Sequence, residues 1–303
     1  MSQSNEKNKH LGIVFIIMAA FFFALMGLFV KLAGDLPSIQ KSFFRNLVAI
    51  PSAMFVIIKS KAGFKIKSGN TSTLILRSLF GTIGILCNFY AVDHLLLADA
   101  SMLNKMSPFF VILFSFFILS EKINTFQFCS VVVAFLGSLF VIKPSFNLTE
   151  FMPSLVGLMG GVCSGLAYTL VRKLGTQGVK GPHIVLFFSS FSCLVTLPFV
   201  IFDYHHMTIM QLISLLMAGI CATGGQFSVT AAYTHAPASE ISVYDYSQII
   251  FSAILGLIIF KQLPDLYSLL GYIIIIGTAI LMYLYNVKGF FKEKRISSLK
   301  KAE

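Results

Sequence analysis

Three polar residues and a proline share one face of an apolar stretch between residues 98 and 122, which reads ADASMLNKMSPFFVILFSFFILSEK. Ser101 is followed after three, four and seven residues by Asn104, Lys105 and Pro108. In a helix these spacings bring the side chains to the same side. A charge on a lipid-facing helix costs at least about 2.5 kcal/mol at the bilayer centre, so we expect this face to line a protein interior or a wet cavity.

A second polar stripe lies nearer the carboxyl terminus and has the same kind of spacing. It contains Tyr244, Asp245, Gln248 and Ser252. A shift of the sequence by 140 residues places Lys105 on Asp245, so each stripe contributes one charge, and the two charges are opposite. An ammonium group and a carboxylate facing one chamber suit the two ends of an amino acid or another small zwitterion. We therefore predict a substrate site around these two residues.

The two charges have more than one interpretation. Each lies about seven residues into its span, and spans entering from opposite sides place them about 5 Å from the midplane in opposite directions. This estimate leaves room for a direct but stretched ion pair, or for a substrate that bridges the two charges. The alternatives are a structural pair that fixes helix packing, and an Asp245 side chain that carries a coupling proton.

Other polar and small residues are candidates for supporting roles. Asn88, Tyr90, Asn104 and Tyr244 are expected to supply cavity donors, although tyrosines in spans also serve as packing groups. Pro108 removes a backbone hydrogen bond and is expected to bend its span. Gly84 and Gly224 are expected to let helices pack closely. Arg45 either screens an outer vestibule or snorkels to the headgroups.

Composition identifies the environment of these residues as a membrane. The chain has 303 residues, of which 56% are hydrophobic and only 12% charged, against roughly 25% charged in a soluble domain. A span needs about 20 apolar residues. By that rule the chain contains ten spans, at 11–33, 38–58, 71–92, 98–119, 124–143, 153–173, 182–202, 209–233, 238–260 and 265–286.

The distribution of basic residues predicts the orientation. Lys and Arg concentrate in the termini and in the loops that lie on the terminal side of the membrane, whereas the opposite ends hold only Lys31, Lys41, Lys143 and Lys261. Basic residues stay in the cytoplasm. We therefore expect a multi-pass protein of the cell membrane, in bacteria the inner membrane, with both termini cytoplasmic. The run 11–30 after Lys7 and Lys9 is interpreted as a permanent span.

The shift of 140 residues also indicates an internal repeat. Gly84 falls on Gly224 and Ser107 on Ser247, with no gap from the third to the fifth span. Five spans are an odd number, so the two halves must insert in opposite directions. We expect an all-α polytopic membrane protein of ten transmembrane helices, built as a 5+5 inverted repeat. Its parts are a cytoplasmic tail at 1–10, repeats at 11–143 and 153–286, and a basic cytoplasmic tail at 287–303 that is able to touch anionic lipid.

The sequence resembles the drug/metabolite transporter superfamily, in particular its ten-span EamA-type members. The resemblance is carried by PFFVILFSFFILSEK from Pro108, VVVAFLGSLFVIKP, SFFRNLVAIP around Arg45, and RSLFGTIGILCNFYAVDHLLLADASML. It departs from the family pattern where Gln248 stands in place of a repeated proline and Lys261 in place of a repeated glutamate. The resemblance implies secondary transport and favours export of amino acids or related metabolites, although uptake is also represented in the superfamily. S-adenosylmethionine is a candidate that the two charges suit.

Other functional classes find little in the sequence. The basic charge of +11 lies in loops and tails, so nucleic acid is not an expected partner. The five cysteines lie in apolar spans, His residues lack metal-ligand spacing, and no cofactor or metal is expected. An intramembrane enzyme or a lipid-handling protein is the alternative, and a non-transporting scaffold is a third. The expected partners are a small-molecule substrate, membrane lipid and a coupling proton, with a monomer or homodimer as the assembly.

Overall fold

The computed structural model describes residues 2–61, 68–119, 125–142, 148–235 and 244–299, and within these segments it contains helices and no strands. We number the α-helices in chain order. They are α1 (Ser2–Leu32), α2 (Ser38–Lys59), α3 (Thr71–His94), α4 (Leu97–Asn104), α5 (Ser107–Leu119), α6 (Thr125–Ile142), α7 (Leu148–Thr176), α8 (Gly181–Phe202), α9 (Ile209–His235), α10 (Ser247–Phe260) and α11 (Leu266–Leu299).

Seven helical segments are long and apolar enough to cross a bilayer. They are His10–Leu32, Ser38–Lys59, Thr71–His94, Leu97–Leu119, Phe151–Thr176, Gly181–Phe202 and Ile209–Tyr233. Three further apolar helices are shorter, at Phe128–Val141, Ser247–Phe260 and Leu266–Met282. Many large apolar side chains remain exposed on the outside of the bundle, as expected for a surface solvated by lipid. The protein is therefore an all-helical membrane protein with several spans.

One of these spans is broken in the middle. Helix α4 ends at Asn104, two residues form a turn, and α5 begins at Ser107 with Pro108 as its second residue. Proline has no amide hydrogen to donate to a carbonyl four residues earlier, so it is tolerated in the first turn of a helix and not in the interior. The sequence thus ends one helix and starts another inside the same span.

The helices pack as pairs across the bundle. The most extensive contacts join α1 to α9, α3 to α7, α2 to α8 and α6 to α11. Glycines lie in two of these seams. A side chain on Gly84 of α3 would meet Ser164 of α7 at 3.0 Å, and one on Gly224 of α9 would meet the Phe22 ring of α1 at 3.1 Å. Both glycines therefore sit at close approaches of two helices.

Polar side chains tie the helices together at one end of the bundle, where α1 ends and α2 begins. Lys31 Nζ donates to the Val92 and Leu95 carbonyls at 2.9 and 2.6 Å, and Lys41 Nζ lies 2.6 Å from Asp93 Oδ1. At this linked end the amide side chains of Gln40, Gln211 and Gln262 also bond to the backbone of His205, Ala33 and Leu97. These contacts join the ends of α1, α3, α8 and α10 to the starts of α2, α4 and α9.

A cavity lies toward the opposite end, beside the start of α8, the last turns of α9 and Phe15 in the middle of α1. Its volume is about 320 Å³. It is lined by Phe15, Gly181, Pro182, Phe227, Ser228, Thr230 and Ala231. Two hydroxyls and the apolar rings give it a mixed lining. In the described part of the protein, polar contacts therefore join the helices at one end, and a cavity lies toward the other.

Candidate functional site

Two helices are interrupted beside a charged residue, at positions 140 residues apart. Lys105 lies in the turn between α4 and α5, and Asp245 is helical but is separated from α10 by a turn at Tyr246. The amide of Phe109 donates to the carbonyl of Met106 at 3.1 Å, and the amide of Ile249 donates to that of Tyr246 at 3.0 Å. The two repeats therefore use the same short turn immediately after their charged residue.

Lys105 and Asp245 form a direct ion pair. The distance from Lys105 Nζ to Asp245 Oδ1 is 2.7 Å, and the two residues are only 3% and 2% exposed. The sequence estimate of a stretched pair is therefore wrong. That estimate assumed continuous helices, whereas both helices are interrupted beside the charges, and the flexible four-carbon chain of lysine covers the remaining distance.

Burial gives this pair two opposing properties. Both ions have lost hydration, so the pair itself adds little net stability, but removal of one partner leaves an uncompensated buried charge. Such a charge costs several kcal/mol unless another ion takes the vacated place. A ligand that carries both an ammonium and a carboxylate group offers each side chain a new partner. The pair is chemically suited to exchange partners with a zwitterion.

Polar groups adjoin the ion pair on α4 and α10. Ser101 Oγ and Ser252 Oγ are 2.8 Å apart and join the two helices. Among the described residues, Gln248 Oε1 and the Tyr246 hydroxyl are buried and have no hydrogen-bond partner. Gln248 follows Asp245 by three residues, across the turn at Tyr246. These groups are available to a ligand that reaches the pair.

The structure places some of the remaining predicted residues beside the ion pair and others away from it. Asn104 precedes Lys105 and is half-buried, and Tyr244 precedes Asp245 and is also half-buried. Asn88 packs its backbone near Gly160 of α7, while Tyr90 is 37% exposed and stacks on His94 at 4.2 Å between ring centroids. Residues two apart on a helix point in nearly opposite directions, so Asn88 and Tyr90 cannot both face one chamber. The structure does not bring Tyr90 to the pair.

Sequence reasoning missed a second polar cluster, between α2, α3 and α8. Arg45 and Arg77 are 1% and 2% exposed, so neither side chain snorkels to the headgroups. The guanidinium carbon of Arg77 lies 3.8 Å from the centre of the Phe188 ring, and that of Arg45 lies 5.8 Å from it. Both distances fall within the range of cation–π contacts. Two cations therefore share one aromatic ring inside the bundle.

These arginines bond to neutral groups. Arg45 Nη1 donates to Asn46 Oδ1 at 2.7 Å, and Arg77 Nη2 donates to Gln226 Oε1 at 3.3 Å. A side chain on Gly81 would come within 2.7 Å of Arg77 Nη1, so this glycine makes room for the guanidinium. A glycine four residues after an arginine on an apolar helix was the signal that sequence reasoning did not use. The buried bond from the Tyr272 hydroxyl to Asp99 at 2.7 Å was missed as well.

Comparison with known proteins gives these clusters a context. The EamA-like transporter family matches residues 10–143 and again residues 152–284. The pseudopaline exporter of Pseudomonas aeruginosa is 31% identical over 271 residues, which are 89% of this chain and 94% of that protein. The S-adenosylmethionine uptake transporter of Rickettsia prowazekii is 25% identical and covers 84% of each chain.

A more distant relative and a solved structure are also similar to this chain. Human solute carrier family 35 member G1 is 24% identical over 88% of this chain and 77% of its own length. A crystal structure with 14% identity superposes with a TM-score of 0.69 over 90% of this chain and 98% of the other, which shows a shared fold. The three relatives named above are an exporter, an uptake transporter and a solute carrier. The chain belongs to the EamA-like transporter family and is a multi-pass membrane transporter of small molecules.

Proposed function

We propose that the protein is a secondary transporter that moves a small polar or zwitterionic metabolite by alternating access, with Lys105 and Asp245 at its substrate site. The observation that carries this proposal is the buried 2.7 Å ion pair between two interrupted helices. Interrupted helices at a repeat interface are where secondary transporters bind substrates. We include Ser101, Asn104, Tyr244 and Gln248 in the same site because they lie on the flanking turns of these two helices.

An inverted repeat of ten spans is the architecture that we propose for this site. The seven long spans and the three shorter apolar helices correspond in order to the ten predicted spans. Helix α1 ends at the linked end, whereas α7, which opens the second repeat, begins there. When each helix is replaced by its counterpart in the other half, the α1–α9 contact becomes the α7–α3 contact. Both of these contacts are extensive. These relations support halves at 11–143 and 153–286 that insert in opposite directions.

The contrast between the two ends of the bundle supports alternating access. The linked end is joined by five polar side chains, and the cavity opens at the other end. We take this conformation as one that admits ligand from the cavity end only. Positively charged loops favour the cytoplasm for that end, which would place both termini in the cytoplasm and the protein in a bacterial inner membrane.

Partner exchange is the step that we propose at the ion pair. The carboxylate of the substrate accepts from Lys105 while its ammonium group donates to Asp245, so each buried charge keeps an opposite neighbour. Binding energy that differs between the two conformations then moves the equilibrium between them. Protonation of Asp245 would have the same effect on Lys105 as loss of its partner, and this residue is our candidate for proton coupling.

The relatives guide the choice of substrate. One exports pseudopaline and another takes up S-adenosylmethionine, so neither one direction nor one compound is common to them. We propose an amino acid or a related metabolite as the substrate. S-adenosylmethionine belongs on the first panel because it combines cationic and zwitterionic groups. Membrane lipid around the exposed apolar surface is the second partner that we propose.

Counterflow in proteoliposomes tests the proposal. Vesicles loaded with one unlabelled metabolite at a time are given the same labelled compound outside, and the panel contains zwitterionic, anionic and cationic amino acids and S-adenosylmethionine. We expect saturable exchange of at least one compound, and its loss in Lys105→Ala and Asp245→Asn. The matched controls are Lys180→Ala and Asp203→Asn, which change exposed residues of the same type. Normal exchange in both site variants would end the assignment.

A further inference from the structure

We propose that Arg45 and Arg77 form an anion subsite that binds a carboxylate group of the transported molecule. We call this cluster the arginine pocket and define it by Arg45, Arg77, Phe188, Asn46 and Gln226. The inference rests on the proposed transport function, because it assigns a substrate group to a second part of the same interior. According to this inference, the preferred substrate carries a second carboxylate in addition to that of a simple zwitterion.

Charge balance is the first argument. Lys105 has Asp245 at 2.7 Å, and Lys41 has Asp93 at 2.6 Å. Within the described residues, no carboxylate lies within ion-pair distance of either arginine. A buried cation without a counter-ion is among the costliest groups in a protein interior. Arg45 and Arg77 also repel each other electrostatically. One anion between them would relieve both penalties.

Unused hydrogen-bond donors are the second argument. Arg45 Nε, Arg77 Nε and Arg77 Nη1 are buried and have no partner among the described residues. A guanidinium presents its donors as a planar fork that fits the two oxygens of a carboxylate. Arg77 Nε and Nη1 lie on different edges of the guanidinium, so together with Arg45 Nε they offer three separate hydrogen bonds to an anion. The hydroxyls of Ser78 and Thr82 on α3 and of Ser189 on α8 are also buried without partners.

The arginine pocket is held in shape by its neighbours. The Phe188 ring lies against both guanidinium groups, and Asn46, which accepts from Arg45, is itself held by a bond from its Nδ2 to Ser192 Oγ at 2.9 Å. Gly81 provides the space that Arg77 occupies. Because these contacts orient the guanidinium groups before any ligand arrives, an anion does not have to order them.

A route and an electrostatic connection link the pocket to the rest of the site. Gln226 accepts from Arg77 and lies one helical turn before Thr230, which lines the cavity. Tyr168 interacts electrostatically with Asp245 and with both arginines, so the ion pair and the arginine pocket are both within electrostatic range of this residue. The arginine pocket is thus one helical turn from the cavity along α9, and we take this turn as the route by which a ligand reaches the interior.

The substrate class follows from the two clusters together. The ion pair takes an ammonium and a carboxylate, and the arginine pocket takes one further carboxylate. We therefore expect aminodicarboxylates and larger amino acids with several carboxylates to be preferred over zwitterions with neutral side chains. Amino acids with cationic side chains are expected to be the poorest substrates of equal size.

Modification of arginine by phenylglyoxal tests the subsite without transport. The chain has only four arginines, Arg45, Arg77, Arg172 and Arg295, so peptide mass spectrometry reports each one separately. The full-length protein in nanodiscs is labelled at constant ionic strength with succinate or its neutral analogue succinamide. We expect succinate at ten times its Kd to slow modification of Arg45 and Arg77 by about tenfold. Succinamide should have no effect, and Arg172 should be modified equally throughout.

Variants show whether protection depends on the pair. Arg77→Gln is expected to abolish succinate protection of Arg45, and Arg77→Lys, which keeps the charge but not the fork, to weaken it by about tenfold. Gly81→Ala keeps both arginines but displaces the guanidinium of Arg77, and it should also weaken protection. Arg172→Gln is the matched control. Protection that survives in Arg77→Gln, or failure of succinate to protect either arginine, overturns the subsite.

The labelling result and the counterflow result can fail separately. Counterflow of an amino acid without protection of Arg45 and Arg77 retains the transporter and removes the subsite. Protection by succinate with no counterflow of any compound retains an anion site and removes the transport function. Preference for an aminodicarboxylate over its amide in wild type, lost in Arg77→Gln but kept in Arg172→Gln, supports both.

Discussion

The ion pair and the arginine pocket handle buried charge in opposite ways. Lys105 and Asp245 come from two interrupted helices and neutralise each other. Arg45 and Arg77 come from the continuous helices α2 and α3, and the described residues give them only amide oxygens and an aromatic ring. At the proposed site a ligand would compete with an internal partner at the first cluster and would complete an unfinished set of contacts at the second. The first cluster is suited to switching and the second to recognition.

The largest effect is expected where the internal partner is lost. Asp245→Asn leaves Lys105 buried without a counter-ion and should lower the free energy of unfolding by about 3 to 5 kcal/mol. The double variant Lys105→Met/Asp245→Asn should recover most of that loss while remaining inactive in counterflow. Denaturant unfolding in detergent micelles measures the first quantity. Asp203→Asn, with a side chain that is 80% exposed, is the control. An Asp245→Asn protein as stable as wild type would contradict the proposed difference between the ion pair and the arginine pocket.

The second prediction is that a substitution in the arginine pocket lowers transport activity without lowering stability. Arg77→Met removes an unpaired buried charge, so the free energy of unfolding should stay within about 1 kcal/mol of wild type or rise. Counterflow of an aminodicarboxylate should nevertheless fall by about ten- to a hundredfold, the equivalent of one charge-assisted hydrogen bond or two. The same two measurements apply. Destabilisation as large as that of Asp245→Asn would mean that the arginine is structural.

The third prediction concerns the break itself. Pro108→Ala restores an amide hydrogen and favours a continuous α4–α5 helix, which would rotate Lys105 relative to Asp245. We expect counterflow to fall by about tenfold, since small displacements of a positioned group have effects of this order or larger. Pro51→Ala in α2 provides the control, because this proline lies inside a continuous helix and is exposed. Equal effects of both substitutions would show that the helix break at Pro108 has no particular role in transport.

The smallest expected effect lies at the linked end. Lys41→Met removes the bond to Asp93, which is 18% exposed, and should favour opening of that end by about 1 kcal/mol, or about fivefold in population. The rate of maleimide labelling of Leu36→Cys, placed in a background without native cysteines, reports opening. Lys180→Met at the cavity end is the control. Unchanged labelling in Lys41→Met would show that this contact does not hold the end closed.

Sequence reasoning located the charges that pair but not the distance between them. The repeat of 140 residues placed Lys105 on Asp245, because the register of a duplicated fold is visible in sequence. Their direct contact depends on two helix breaks, and only the first carries a proline as a signal; in the second repeat Gln248 occupies that position. A turn that arises from packing rather than from a helix breaker leaves little trace in the local sequence.

The position of arginines was harder to predict. Arg45 lies near the end of a span, where lipid headgroups and protein interior are both plausible surroundings for a guanidinium, and hydropathy does not distinguish them. The deciding contact, with Phe188, comes from a residue more than a hundred positions away. The expectation that Tyr90 and Asn88 line the same cavity conflicts with helix geometry, because residues two apart on a helix point in nearly opposite directions. The glutamate and lysine at 121 and 122 lie outside the described residues.

The difference between Pro108 and Gln248 has a kinetic consequence. The second residue of α5 has no amide hydrogen, whereas the corresponding residue of α10 has one, so straightening the break is costlier in the first repeat than in the second. If the two proposed halves exchange roles during the proposed transport cycle, they have unequal stiffness. The empty carrier should rest preferentially on one face of the membrane, and half-saturation concentrations measured from the two faces should differ.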